Sequence, residues 1–119
     1  MKIKAVSGLT FSVKNLKKTV AFYEALGFEC RKLDETHAAL YSNWFWIDCL
    51  VIGRDERATA EKGNGTRVFL SVDNVDEFYE YVISKKLKPA TKPQDQPWRN
   101  REFLLRDPDG YNLVIFRRK

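Results

Sequence analysis

Apolar and polar residues alternate singly over the first strand-like stretch. Leu9, Phe11 and Val13 fall on one side of an extended segment, and Gly8, Thr10 and Ser12 on the other. The same alternation sets Val68, Leu70 and Val72 opposite Arg67, Phe69 and Ser71. After each stretch the period lengthens to that of a helix. Leu16, Val20, Tyr23 and Leu26 form one stripe, and Val75, Phe78, Tyr79 and Val82 another. Asn15 and Asn74 precede these stripes and supply the side-chain oxygen that caps a helix N-terminus. Asp76 suits the positive end of the second helix, and Glu77 is the capping-box partner of Asn74. Gly27 closes the first helix.

The two stretches are copies of each other. Phe11–Tyr23 laid over Leu70–Val82 at a constant shift of 59 pairs Ser12 with Ser71, Val13 with Val72, Asn15 with Asn74, Leu16 with Val75, and Phe22 with Tyr81. That shift is almost half the chain, which predicts a duplicated supersecondary unit. Three strand candidates follow each helix: Glu29–Leu33, His37–Tyr41 and Phe45–Ile52 in the first copy, then Lys88–Thr91, Arg101–Arg106 and Tyr111–Arg117 in the second. Gly53–Gly65 is polar and aperiodic, a junction rather than a strand. Lys92–Asn100 contains Pro93 and Pro97 and is expected as a loop, while Asp107-Pro108-Asp109-Gly110 is a turn. The expectation is a single domain over residues 1–119, of class α+β. It consists of two tandem βαβββ modules, 1–53 and 66–119, joined by residues 54–65.

Composition narrows the choices further. A hydrophobic fraction of 44% and a charged fraction of 31% are those of a folded chain. No apolar run approaches the roughly 20 residues of a membrane span, and no signal-peptide core opens the sequence, so no membrane is expected as a partner. The net charge of +5 divides evenly. Residues 1–60 hold 9 basic against 7 acidic side chains, and residues 61–119 hold 12 against 9. Neither half is a basic lobe, which argues against nucleic acid. Cys30 and Cys49 both lie in apolar, strand-like stretches and are expected as buried thiols in a reducing cytoplasm.

The strings FSVKNLKKTVAFYEALGFE and DPDGYNLVIF, with the repeat between them, resemble the vicinal oxygen chelate superfamily. That group contains glyoxalase I, extradiol dioxygenases, and fosfomycin- and bleomycin-resistance proteins. The resemblance covers essentially the whole chain. It implies a curved, partly open mixed sheet around a pocket, helices outside, and a homodimer. Its enzymes hold a divalent metal through His, Gln or Glu on the concave strands. Carried over residue by residue, three of those positions fall on Gly8, Arg67 and Val114. None of the three can ligate a metal through its side chain, and an Arg repels one. Asp48 is a candidate fourth, and His37, the only histidine, is expected away from the others. The expectation is no metal site and no cofactor.

No nucleophile–base set or phosphate loop appears, since one histidine would have to serve every such proposal. The remaining clue is aromatic. Trp44 and Trp46 are two apart and would share one strand face, either toward a pocket or in a core or dimer contact. Trp98 lies where the family often carries Pro-Trp-Gly, with Arg99 in place of the glycine. The candidate ligand cup comprises Thr10, Ser12, Trp44, Trp46, Arg67, Phe69, Trp98, Arg101 and Asn112. Arg67 would anchor an anionic group, or else pair internally with Asp48 or Glu102. The expected function is binding of a planar or acidic small molecule, more a binder than an enzyme. Two alternatives stay open: a lyase, isomerase or dioxygenase with a rebuilt metal site, and a protein-interaction module with no ligand.

Overall fold

The computed structural model describes residues 1–51 and 65–119. Almost all of the junction Gly53–Gly65 lies outside the described residues. The chain forms β1 (Gly8–Val13), α1 (Leu16–Ala25), β2 (Glu29–Leu33), β3 (His37–Ser42) and β4 (Phe45–Val51). It then repeats the order with β5 (Arg67–Ser71), α2 (Val75–Ser84), β6 (Gln94–Asp95), β7 (Asn100–Arg106) and β8 (Asn112–Arg118). Contacts divide it into two compact units, Met1–Ala60 and Glu61–Lys119. Each unit holds a four-stranded mixed sheet, ordered β1-β4-β3-β2 in unit 1 and β5-β8-β7-β6 in unit 2. β1 runs parallel to β4, and β5 parallel to β8. The α+β tandem of βαβββ modules is therefore the architecture.

The caps form as the residue types dictate. Asn15 Oδ1 accepts from the Lys18 amide at 3.1 Å, and Asn74 Oδ1 from the Glu77 amide at 3.0 Å. Gly27 takes φ +101° after α1, the left-handed conformation that glycine adopts without a Cβ clash. The same place after α2 is held by Lys86 at φ 63°.

Each sheet has one side packed on its helix. In unit 1, Phe11, Val13, Ala38, Leu40, Ile47 and Cys49 are buried with Leu16, Val20 and Tyr23 of α1. Tyr23 is the centre of this core, edge-on to Phe22 and Phe28 at 5.1 and 5.3 Å between ring centroids. In unit 2, Val68, Phe103, Leu105, Leu113 and Ile115 pack with Val75 and Val82, and Tyr79 meets Phe103 edge-on.

Some expectations need correction. Lys88–Thr91 is not a strand; Ala90 donates to the Leu104 carbonyl and Thr91 Oγ1 accepts from the Leu104 amide, and no ladder continues. The two-residue β6 lies instead inside the expected loop, Gln94 opposite Glu102 and Asp95 opposite Arg101, between the prolines that keep it short. Cys49 is buried, but Cys30 on the edge strand β2 is only half-buried.

Candidate functional site

Most of the expected site residues lie on the side of each sheet away from its helix. Strand register fixes which residues share it. Across unit 1, Gly8, Trp46 and Tyr41 stand abreast, then Thr10, Asp48 and Ala39, then Ser12, Leu50 and His37. Trp46 lies 6.0 Å from Tyr41 between centroids, and the Arg31 guanidinium sits 4.3 Å over the Tyr41 ring. A Cβ on Gly8 would lie 2.6 Å from the Trp46 carbonyl oxygen and 2.7 Å from its indole Nε1. Glycine is therefore what lets the indole lie against β1.

His37 is not apart from the other polar residues. Its Nε2 lies 3.2 Å from Asp48 Oδ1, a half-buried pair on this same face. The signal was present in the hairpin turn. Ser42 pairs with Phe45, so Asn43 and Trp44 form a two-residue turn, with Asn43 at φ 55°. That turn sets His37 opposite Leu50 and diagonal to Asp48. It also corrects the reading of the tryptophans: Trp44 is in the turn and 69% exposed, so it shares no strand face with Trp46.

Unit 2 has the same grid with different contents. Arg67, Asn112 and Arg106 stand abreast, then Phe69, Val114 and Leu104, then Ser71, Phe116 and Glu102, with Arg118 and Asn100 beyond. Arg106 Nε donates to Asn112 Oδ1 at 3.1 Å, and Asn112 Nδ2 to the Thr66 carbonyl at 3.3 Å. Arg67 is exposed, and no hydrogen bond or ion pair joins its side chain to another described residue. Phe69 meets Phe116 edge-on at 5.5 Å. At the far end Trp98 Nε1 donates to Glu102 Oε1 at 2.8 Å, so Glu102 partners the indole and not Arg67. Arg99, next to Trp98, adopts φ 68°, a left-handed turn of the kind that favours glycine.

Arg101 does not belong to this face. It aligns with Arg117 on the helix side of the sheet. Its Nε and Nη2 fork onto Asp76 of α2 at 2.9 and 2.8 Å, and Nη1 reaches Asp95 at 3.1 Å. These hydrogen bonds, Asp76 first, push the guanidinium pKa up. The Arg101 fork holds the Asp76 carboxyl below the usual range. Hydrogen bonds from Lys119 and then Arg101 do the same for Asp95. The cluster borders a cavity of about 360 Å³ that includes Asn74, Arg117 and Arg118.

Of the expected cup, then, Thr10, Ser12 and Trp46 share the helix-free face of unit 1. Arg67, Phe69 and Asn112 share that of unit 2, and Trp98 joins them through Glu102. Among the described residues, no three His, Cys, Asp or Glu side chains cluster so as to hold a metal ion.

Two mixed sheets built this way, each with one helix and one polar-studded open face, define a glyoxalase-like class. Residues 5–115 match the Glyoxalase/Bleomycin resistance protein/Dioxygenase superfamily, and the chain belongs to that family, the vicinal oxygen chelate group. It is 24% identical over 117 residues to the metallothiol transferase FosB of Lysinibacillus sphaericus (strain C3-41), covering 95% of this chain and 82% of that protein. Among solved structures, a bleomycin-binding protein complexed with bleomycin superposes with TM-score 0.73 at 22% identity, covering 98% of this chain and all of that one (100%). A lactoylglutathione lyase from Agrobacterium tumefaciens superposes with TM-score 0.75 at 16% identity, covering 98% and 95%. At these identities the superpositions bear on the fold alone. No helix among the described residues is long and apolar enough to cross a membrane.

Proposed function

We propose that this protein binds a small acidic or planar metabolite on the helix-free face of unit 2, anchored by Arg67 and without a divalent metal. The observation that carries this is the row Arg67, Asn112 and Arg106. It places two cationic forks beside a positioned amide, with no carboxylate among the described residues bonded to either Arg. The two arginines flank β8 on either side of Asn112, so both guanidinium groups can turn toward one anionic group set over that strand. A guanidinium fork suits the two oxygens of a carboxylate or phosphate. Phe69 and Leu104 in the next row give the body of such a ligand an apolar surface.

The donor set does not fit a family-type metal. Gly8 has no donor and its Cβ space is taken by Trp46; Arg67 is cationic; Val114 is apolar. Binding alone is a use this fold supports, as the bleomycin-binding protein illustrates for its own ligand. A second reading rests on the His37–Asp48 pair of unit 1, whose imidazole is oriented as a proton-transfer base would be. A bound compound that is consumed by the protein, and not by His37→Asn, would favour that reading.

A thermal-shift screen of metabolites, run before and after chelation, tests the first reading. A ligand at 100 times its Kd stabilises the folded state by about 2.7 kcal/mol, enough to raise Tm by several degrees. Acidic compounds should dominate the hits, with shifts unchanged by chelation. Hits that need a restored metal would overturn it.

A further inference from the structure

The end of the unit 2 face opposite Arg67 carries the reverse chemistry. Glu102 is only 6% exposed, and among the described residues the one donor to its carboxylate is the Trp98 indole. Two residues back on β7, and so on the same face, Asn100 is 4% exposed and its Oδ1 is buried with no partner. Arg118 stands across from Asn100 in register but bonds to neither side chain. Buried acceptors without donors are uncommon and unfavourable, and a buried carboxylate with one neutral donor is more so. A ligand that supplies the missing donors is one reason a native chain keeps such groups. Here the missing component is a hydrogen-bond-donating cation, and the exposed Trp98 ring provides an aromatic surface for it.

Building on the reading above, we propose that Glu102, Asn100 and Trp98 form a subsite for a protonated amine, so that the ligand is amphoteric. Its acidic group meets Arg67 and Arg106, its apolar body lies over Phe69 and Leu104, and its ammonium donates to Glu102 and to Asn100 Oδ1. Glu102 and Arg106 are four residues apart on one strand, about 13 Å between Cα atoms. The two poles thus suit an elongated molecule and not an α-amino acid.

Calorimetric titration with 8-aminooctanoate, octanoate and octylamine tests this. The amino acid should bind about 10-fold more tightly than octanoate, the size of one charge-assisted contact. Glu102→Gln keeps the acceptor for Trp98 and should reduce 8-aminooctanoate to the affinity of octanoate, leaving octanoate itself unchanged as the control for folding. Arg67→Met should weaken both acids and leave octylamine unaffected. If octanoate equals 8-aminooctanoate, or Glu102→Gln alters neither, the amine subsite is wrong while the acid anchor stands. If octylamine binds through Glu102 and Arg67→Met weakens neither acid, the subsite stands and the acid reading falls. If none of the three binds, both are contradicted.

Discussion

At register-equivalent positions of the helix-free faces, unit 1 carries Gly8, Thr10, Trp46, Asp48 and His37 where unit 2 carries Arg67, Phe69, Asn112, Val114 and Glu102. On the helix sides the copies stay close: Asn15 and Asn74 both cap, Leu16 and Val75 both bury, and Val13 and Val72 are each followed by a helix at the same spacing. The difference follows from packing. A helix-side position must fill a dense core, where a methylene too many or too few costs about 0.5–3 kcal/mol. Exposed positions on the other face, such as Thr10, Arg67 and Phe69, have no such core to fill, so their chemistry is freer to change. Unit 1 has thereby acquired a polar centre with an aromatic end. Unit 2 has an apolar centre between a cationic end and an acceptor end.

The sharpest structural test of that contrast is at Gly8, the equivalent of Arg67. Gly8→Ala drives a Cβ into the backbone oxygen and indole of Trp46. Backbone cannot yield cheaply, so the substitution should destabilise by about 1–3 kcal/mol in urea unfolding. A neutral result would mean that Trp46 does not lie against β1, and the aromatic end of unit 1 would be lost from the comparison.

A smaller effect tests the scaffold the copies share. Gly27 and Lys86 are 59 residues apart and both adopt positive φ after their helices. Lys86→Gly should relieve left-handed strain, partly offset by greater unfolded-state freedom, for a gain below about 1 kcal/mol. A loss in thermal unfolding would show that the second helix ends differently from the first.

The residues that make the repeat visible are those whose role is local. Asn15, Asn74 and the turn at Asp107–Gly110 act within a few positions, so their spacing reveals them. What sequence could not supply was long-range. The β6 pairing is two residues long, too short for any periodicity. Arg101 alternates as a sheet residue, but which side it takes depends on where β7 meets β8, and its partners Asp76 and Asp95 lie 25 and 6 residues away. The His37–Asp48 contact was within reach: reading Asn43-Trp44 as a turn fixes the register of β3 on β4. The orphaned acceptor of Asn100 had no signature in the sequence at all, because burial is a property of the fold.

The proposal that unit 2 anchors an acidic ligand by the charge of Arg67 is the one most open to direct test. The most direct measurement is the affinity of the strongest acidic hit from the screen, titrated into wild-type protein and Arg67→Met, beside a neutral analogue of the same compound. A charge-assisted contact contributes about 1.5–3 kcal/mol, or roughly 10- to 150-fold in Kd. The account predicts a loss of that size for the acid and none for its neutral analogue. Equal affinity of the acid for both proteins would contradict it.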